Sequence, residues 1–340
     1  MEKRIEWYRT PIDKRRLTEL TQRNDAKALL HSGSFLLIYL ASIALNLYFF
    51  LNRLWIPMVV ASYLHAMFVD FMGMGAAVHE LSHRTAFRTK WLNTFFYRLF
   101  AFLTWNNPLH FKESHNRHHQ YTYFRDLDRE QVADPIPYSR AQVLSWFLFD
   151  WKRFGTFMWA NLNHAAGNTR VDFFFWCPLV TPESVKGRQL VRWARILFIG
   201  HLLLLGLFIW FELWILIFLV TFSYFFATFL QHATAIIQHT GLQGDVPDWR
   251  FNSYTVNLNP LLRYLYWNMN FHTEHHMYAG VPFYNLPALR KELKWDLQKP
   301  MPGLIATLRH ILQVKRAQKD DPEYRSLPQF PETATLPGSD

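Results

Sequence analysis

Eight of the 16 histidines in this sequence lie in three short motifs. Neutral imidazole is a good ligand for iron, zinc, copper and nickel, so closely spaced histidines are candidates for a metal site. The motifs are His79-Glu80-Leu81-Ser82-His83, His115-Asn116-Arg117-His118-His119 and His272-Thr273-Glu274-His275-His276.

The spacing within the motifs predicts that their imidazoles converge. Residues three or four positions apart share one face of a helix, and the adjacent histidine of each HxxHH motif offers a neighbouring direction. Eight imidazoles are too many for one tetrahedral ion, and they suit two neighbouring ions with open positions. His239, in Gln238-His239-Thr240, is a ninth candidate ligand. His232, seven residues earlier on the same helical face, is a weaker one.

The other histidines lack this spacing. We interpret His110 as a bystander near the second motif. His65 and Asp70 fall within a predicted membrane span, where ionisable groups usually face the protein interior, so a structural pairing and a role beside the ligands both remain open. We expect ordinary surface or interfacial positions for His31, His164, His201 and His310.

Apolar segments predict the elements that position these motifs. Half of the chain is hydrophobic and 18% is charged, below the roughly 25% of soluble domains. Mean hydropathy is nevertheless −0.07, so the apolar residues must lie in blocks beside polar blocks. Such blocks are typical of a polytopic membrane protein. The predicted spans are residues 34–51, 54–78, 196–211 and 213–237, which form two hairpins.

The charge pattern predicts the orientation. The net charge is +10, yet the first hairpin loop carries only Arg53 and the second only Glu212. Positive residues favour the cytosolic side, so both termini and all three motifs are predicted to be cytosolic. Aromatic segments 91–105 and 144–162 are predicted to be interfacial helices. The predicted fold is all-α, with four transmembrane helices under a cytosolic helical cap.

Three regions follow from these assignments. Residues 1–33 form a cytosolic N-terminal segment, residues 34–295 the membrane catalytic domain, and residues 296–340 a cytosolic tail that we expect to be poorly ordered from about residue 317. Cys177 is the single cysteine, which excludes an internal disulfide and a cysteine-ligated iron–sulfur cluster. No nucleic-acid-binding motif accompanies the basic charge, so we expect no nucleic acid partner.

In their order, these motifs resemble the three-histidine-box pattern of the membrane fatty acid desaturase/hydroxylase superfamily. That pattern is HxxxH, HxxHH and HxxHH, with two spans between the second and third motifs, and the resemblance covers roughly residues 35–295. The segment 277–289 and Gln238-His239-Thr240 are also similar to this superfamily.

The resemblance implies a mushroom-like fold and a non-haem di-iron centre that uses O2 to remove hydrogen from an unactivated C–H bond. The expected ligands are the nine histidines named above, and the expected substrate is a fatty acyl or similar lipid chain. The segment after the third motif favours desaturation over hydroxylation, which stays open. Carboxylates near the motifs are expected to orient the imidazoles. These are Glu80, Asp128 and Glu274, with Glu113 and Asp126 as further candidates.

The electron donor is expected to be a separate protein. The sequence has neither the His-Pro-Gly-Gly motif of cytochrome b5 nor the cysteines of rubredoxin. A ferredoxin-, rubredoxin- or cytochrome b5-type donor with its reductase would dock on the cytosolic side, where Lys and Arg residues can steer an acidic protein.

Two other classes of function compete with this interpretation. The first motif also matches HExxH, in which Glu80 would be the general base of a membrane zinc protease. That interpretation leaves six of the eight motif histidines unexplained. A metal transporter would place its ligands within the spans near the bilayer midplane, whereas these motifs lie outside the predicted spans.

Overall fold

A computed structural model describes residues 4–125, 127–128, 130, 138–171 and 179–336, and the regular structure in these residues is helical. They contain three isolated β-bridges and no β-strand, which confirms the all-α class. The α-helices are α1 Lys14–Leu20, α2 Asp25–Leu51, α3 Trp55–Asp70, α4 Ala77–Ser82, α5 Lys90–Leu103, α6 Pro108–Tyr121, α7 Arg140–Ser145, α8 Trp151–Ala165, α9 Val185–Trp210, α10 Trp214–Leu216, α11 Phe229–His239, α12 Trp249–Asn252, α13 Pro260–Leu265, α14 His272–Met277, α15 Leu286–Leu293 and α16 Leu304–Asp320. Ile217–Phe222 is a π-helix, and Ser223–Phe225 and Phe283–Asn285 are 3-10 helices.

Two hairpin turns are built in the same way. At the end of α2, Arg53 adopts a left-handed backbone conformation with φ 56°, and Glu212 does the same after α9. After the first of these helices the amide of Leu54 donates to the carbonyl of Phe49 over 2.8 Å, and after the second the amide of Leu213 donates to the carbonyl of Phe208 over 2.9 Å. These bonds form the Schellman motif that commonly ends a helix. Each turn therefore reverses the chain at the single charged residue of its loop.

Two helical stretches are long and apolar enough to cross a bilayer among the residues described, namely Lys14–Leu51, which contains α1 and α2, and Val185–Trp210. Only 17% and 22% of their most apolar windows are buried. The core helices of a soluble protein would be mostly buried, so these exposed apolar faces are typical of helices that contact lipid. The other two predicted spans correspond to the shorter apolar helices Trp55–Asp70 and Trp214–Phe225.

The prediction that the second and fourth spans are each one continuous helix is wrong. Helix α3 ends at Asp70, and residues 71–76 turn before the first histidine motif. A Cβ atom at Gly73 would lie 2.4 Å from Cε2 of Tyr224, so this turn packs more closely than any larger residue permits. The fourth segment changes from α- to π- to 3-10 helix and then breaks at residues 226–228, where Ala227 has φ 52°.

The predicted interfacial segment 144–162 is also interrupted. The helix ends at Ser145, and Trp151 begins the next one. Between these helices, Phe149 forms an antiparallel bridge with Phe226. The backbone here pairs with the non-helical residues of the fourth segment and therefore does not continue as a helix. Segment 91–105 is helical as predicted, over Lys90–Leu103.

The tail is ordered over the described residues, contrary to the prediction. Helix α16 continues through Asp320. Beyond it, the amide of Ser326 donates to the carbonyl of Gly241 over 2.8 Å, and the amide of Thr335 donates to Oδ1 of Asp296 over 2.8 Å. The other carboxylate oxygen of Asp296 accepts a bond from Tyr8 over 2.9 Å. The N-terminal segment and the tail therefore meet at one buried aspartate.

Two ionisable residues of the apolar helix α3 are paired. Nδ1 of His65 lies 2.6 Å from Oγ of Ser42, and its Nε2 lies 3.0 Å from the carbonyl oxygen of Leu219, so this ring links α2, α3 and the π-helix. Asp70 forms an ion pair with Arg153 of α8. Both of these residues therefore have structural partners away from the histidine motifs.

Candidate metal centre

Four helices carry the candidate ligands to one place. Helix α4 bears His79 and is followed directly by His83, and α6 bears the whole second motif. His239 is the last residue of α11, and α14 consists of the third motif and Met277. The side chain of Asn107 caps the start of α6, and Pro108 lies in its first turn. This favourable helix start determines where α6 begins and therefore which of its faces carries the second motif.

The nine histidines form two groups, each of which can hold a metal ion. The ligand nitrogens within each group lie within 4.8 Å of one another. Ring centroids of His119 and His276, which belong to different groups, are 4.3 Å apart, so the groups are neighbours. Group A comprises His79, His83, His115, His119 and His275, and group B comprises His118, His239, His272 and His276.

The two HxxHH motifs divide their ligands between the groups in a reciprocal way. In the second motif the outer pair, His115 and His119, joins group A, and His118 joins group B. In the third motif the outer pair joins group B, and His275 joins group A. Helices α6 and α14 thus each contribute to both groups, which ties the two candidate ion positions to one another.

Three ligand rings have their tautomer fixed by an acceptor. Nδ1 of His118 lies 2.8 Å from Oδ2 of Asp128, and Nδ1 of His115 lies 2.9 Å from Oε1 of Glu130. Nδ1 of His239 lies 2.6 Å from the carbonyl oxygen of Asn252. Because these oxygens accept the bond, each Nδ1 must carry a proton, and Nε2 is the nitrogen left to face a metal ion.

The remaining ring nitrogens crowd around these Nε2 atoms. A proton on one nitrogen can satisfy only one such contact, so hydrogen bonds alone leave lone pairs facing each other. A metal cation accepts all of them together, and the donor set fits two such ions. The Nε2 separations are 2.5 Å for His79–His115, 3.0 Å for His115–His119, 3.2 Å for His119–His275, 2.9 Å for His239–His272 and 3.1 Å for His272–His276.

Burial keeps most of these imidazoles neutral. Loss of solvent, together with the nearby Lys112 and His118, lowers the pKa of His83 to about 4. Burial alone would also lower the pKa of His118, but the Asp128 carboxylate outweighs it and holds that pKa above its ordinary value. Burial is the largest cause of a strongly lowered pKa for His79, His115, His119, His239, His272, His275 and His276.

The predicted orienting carboxylates take different places. Asp128 bonds to a ligand directly, as described above. Oε1 of the buried Glu80 lies 3.5 Å from Nδ1 of His275 and 3.8 Å from Nδ1 of His79, close to both rings. Glu274 instead pairs with Arg290 over 3.0 Å and accepts a bond from Thr255, so it contacts no candidate ligand.

Two further carboxylates from the sequence analysis have no described contact with the ligands. Glu113 pairs with Lys186 over 2.9 Å, and Asp126 lies outside the described residues. The sequence analysis did not predict Glu130 as a partner of His115, because it lies 15 residues after that histidine in a polar segment without periodic spacing. Acidic residues after the second motif include Glu130, but the sequence does not distinguish it from the others.

The other histidines lie outside the two groups. His232 lies 2.8 Å from the Asp150 carboxylate and joins neither group. His164 and His201 are buried rather than at the surface, and His201 stacks on Trp105 with ring centroids 4.1 Å apart. The same separation from the groups holds for His31, His65, His110 and His310.

An open pocket connects the surface to the histidine groups. It has a volume of about 630 Å³ and reaches His119 of group A and His276 of group B. At its rim Trp7 stacks on Trp249 with ring centroids 4.3 Å apart and planes within 5°. The N-terminal segment therefore forms part of the entrance to the candidate metal centre.

Comparison with known proteins places this geometry in a family. The sequence model of the family described as fatty acid desaturase matches residues 53–305, which include every histidine of both groups. The chain is also 25% identical over 256 residues to the sn-1 oleoyl-lipid 12-desaturase of Arthrospira platensis, an alignment that covers 65% of this chain and 68% of that protein. The chain belongs to the fatty acid desaturase family.

Proposed function

We propose that this protein is an O2-dependent desaturase that introduces a double bond into a fatty acyl or similar lipid chain at a di-iron centre. The observation that carries the proposal is the convergence of nine histidines on two adjacent positions, with three rings fixed so that their Nε2 atoms point inward. Family membership supports the reaction type, and the relative from Arthrospira platensis is named for a lipid desaturase activity.

The proposed ligands are the five histidines of group A and the four of group B. Two iron ions, when bound, would supply the activation of O2 that removal of hydrogen from an unactivated chain requires. This chain's own groups hold the imidazoles in place: Asp128 and Glu130 fix two rings, and Glu80 lies beside two more.

The balanced reaction requires an external reductant. Two hydrogens leave adjacent carbons of the chain, O2 takes up these two hydrogens together with two electrons and two protons, and two water molecules form. Hydroxylation uses the same inputs but leaves one oxygen atom in the product and releases one water. We propose a separate one-electron donor protein, and Arg4 and Arg9 at the rim of the open pocket provide positive charge for docking an acidic partner.

We further propose four membrane-spanning segments with both termini and the metal centre in the cytosol. The two long apolar helices support this topology, as do the matching hairpin turns at Arg53 and Glu212. Under this proposal, residues 34–295 form the catalytic domain between a cytosolic N-terminal segment and a cytosolic tail. Cysteine labelling of variants at positions 53 and 212 would test it, since both positions must react only from the non-cytosolic side.

The decisive test is a reconstitution. Purified protein in lipid nanodiscs is supplied with ferrous iron, O2 and a reduced ferredoxin with its reductase, and lipid extracts are analysed by mass spectrometry. Loss of two hydrogen atoms from an acyl chain is the expected result. Gain of one oxygen atom would instead assign a hydroxylase. The assay is repeated with a rubredoxin and with a cytochrome b5 as the electron donor, and an unchanged lipid with all three donors would refute the proposal.

The metal content separates this proposal from a zinc protease. Two irons per chain are expected, against the one zinc of an HExxH protease. His118→Ala should lose iron and activity together, because it removes a ligand of group B. His310→Ala is the matched control, since that ring bonds to Ser326 in the tail and lies outside both groups.

A further inference from the structure

Arg153 of α8 is buried and joins three other segments of the fold. Its Nη1 forms an ion pair with Asp70, the last residue of α3, and its Nη2 donates to Oε1 of Gln231 on α11 over 2.8 Å. Its guanidinium also lies over the ring of Tyr224, 5.1 Å from the centroid. A guanidinium presents five N–H donors in a fixed plane, so one arginine can hold several partners at once. The two histidine groups include none of these four side chains.

The partners of this arginine pack against the turn that joins α3 to α4, residues 71–76, which we call the glycine turn. A Cβ atom at Gly75 would lie 2.1 Å from Nε2 of Gln231, and one at Gly73 would lie 2.4 Å from Cε2 of Tyr224. Only glycine permits the backbone to approach other atoms this closely. The glycine turn is therefore packed against two side chains that the arginine holds in place.

The position of the glycine turn determines the position of α4. This helix has only six residues, too few to be stable without tertiary contacts. Its start bonds to the glycine turn, since the amide of Val78 donates to the carbonyl of Gly73 over 3.1 Å. Helix α4 carries His79 and is followed directly by His83, and these are two of the five histidines of group A.

Helix α11, which carries Gln231, is held by contacts of its own. The hydroxyl of Tyr266 donates to the carbonyl of Thr234 over 3.0 Å. At the end of the helix, Nδ1 of His239 lies 2.6 Å from the carbonyl oxygen of Asn252. A change at the contact between this helix and the glycine turn is therefore expected to displace the turn and leave α11 in place.

We propose that Arg153 is a positioning residue that fixes the glycine turn through its three partners and thereby places His79 and His83 in group A. The inference rests on the proposed function, because it takes group A as a metal site. Among the described residues, Arg153 forms no hydrogen bond with any of the nine histidines, so it acts through the turn. A purely structural ion pair would affect both groups alike, whereas a positioning residue for the turn affects group A first.

The experiment is a chelator titration of the iron-loaded protein in lipid nanodiscs. Gly75→Ala inserts a methyl group against Gln231 and leaves Arg153 intact. The displaced turn should weaken binding of the group A iron by about 10- to 100-fold, the range for loss of a residue that supports a metal ligand, while the group B iron is retained. Gly155→Ala on α8 is the matched control, because its Cβ would meet no atom within 4 Å. It should leave both irons unaffected.

A second substitution identifies which iron is lost. Asp128→Asn removes the acceptor of His118, a ligand of group B. If Gly75→Ala acts on group A, the variant Gly75→Ala/Asp128→Asn should bind both irons weakly. One iron still bound as tightly as in the wild type would show that both substitutions act on the same group, and would overturn the proposal.

A rescue variant tests the contact itself. Gly75→Ala/Gln231→Ala shortens the side chain that the new methyl group meets. Its affinity for the group A iron should return to that of Gln231→Ala alone, which completes a double-mutant cycle for this contact. Failure of the second substitution to restore the affinity would overturn the proposed route through Gln231.

The arginine is tested in the metal-free protein. Arg153→Met alone would leave a buried carboxylate without its cation, so the variant is Asp70→Asn/Arg153→Met, which removes both charges. Amide hydrogen exchange at the start of α4 should become faster than in the wild type, because the glycine turn loses its support. Lys152→Met, which changes an exposed neighbour on the same helix, should leave this exchange unchanged.

Two further results would overturn the proposal, namely equal loss of both irons in Gly75→Ala and unchanged exchange in Asp70→Asn/Arg153→Met. A wild type that binds no iron would instead refute the proposed function. The hydrogen-exchange measurement needs no metal, so the two failures are distinguishable.

Discussion

Replacing Asp128 with asparagine tests whether the carboxylates beside the histidines support metal binding. Oδ2 of Asp128 accepts from Nδ1 of His118 and from the amide of Tyr123, each over 2.8 Å, while Oδ1 accepts from the amide of Glu130 over 3.0 Å. Asparagine has one acceptor and one donor in place of two acceptors. Either orientation of its side chain therefore places an NH2 group against another donor.

The expected loss follows from this mismatch and from the missing negative charge. Removing the partner of a metal-ligating histidine typically weakens metal affinity by about 10- to 100-fold, which corresponds to about 1.4–2.7 kcal/mol. The effect should fall mainly on group B, because His118 is its only ligand from the second motif. We expect Asp128→Asn to retain about one iron tightly and to release the other at lower chelator concentration.

The assay is a titration of the iron-loaded protein with a chelator, with bound iron measured by plasma mass spectrometry. Glu113→Gln is the matched control, because this carboxylate precedes the second motif by two residues but bonds to Lys186 instead of a histidine. It should leave both irons unaffected. If Asp128→Asn is folded and holds both irons as tightly as the wild type, the reasoning about orienting carboxylates is wrong.

Three further predictions concern stability, measured as unfolding in detergent. Arg250→Met should destabilise the protein by about 3 kcal/mol, because it leaves two buried carboxylates unpaired, whereas Arg125→Met removes exposed ion pairs and should change stability by less than about 1 kcal/mol. Gly187→Ala should cost about 1–3 kcal/mol, since its Cβ would lie 2.2 Å from the backbone oxygen of Thr181, while Gly206→Ala on the same helix meets no atom within 4 Å and should be tolerated. Removing the metal should lower the unfolding temperature, because a ligand at about 1,000 times its Kd stabilises the folded state by about 4 kcal/mol. An unchanged midpoint after complete iron removal would contradict the metal assignment.

The sequence predicted which histidines assemble, because helical spacing fixes where neighbouring side chains point. The pairs four residues apart, such as His115 and His119, do lie in the same group. Spacing could not show that His118 and His275 each belong to a different group from the other two histidines of their motif. That exchange depends on how α6 and α14 face each other, which is a tertiary contact with no local pattern.

Helix boundaries were less predictable than helix content. An apolar run does not show where backbone bonding stops, and α3 ends at Asp70 because a glycine turn packs against Tyr224 from a distant segment. The predicted role of Glu274 also ignored helix geometry. A residue two positions after His272 points about 200° away from it, which is consistent with its observed contact to Arg290.

The division of ligands between the two groups has a consequence for biosynthesis. Group A includes His275, and group B includes His272 and His276. Neither group is therefore complete until about four fifths of the chain has been made. During synthesis the imidazoles of the first two motifs must remain without the histidines of the third motif while the intervening segments are made. A chain that terminates before the third motif would keep four of the five histidines of group A but only two of the four of group B, so truncation should affect group B more than group A.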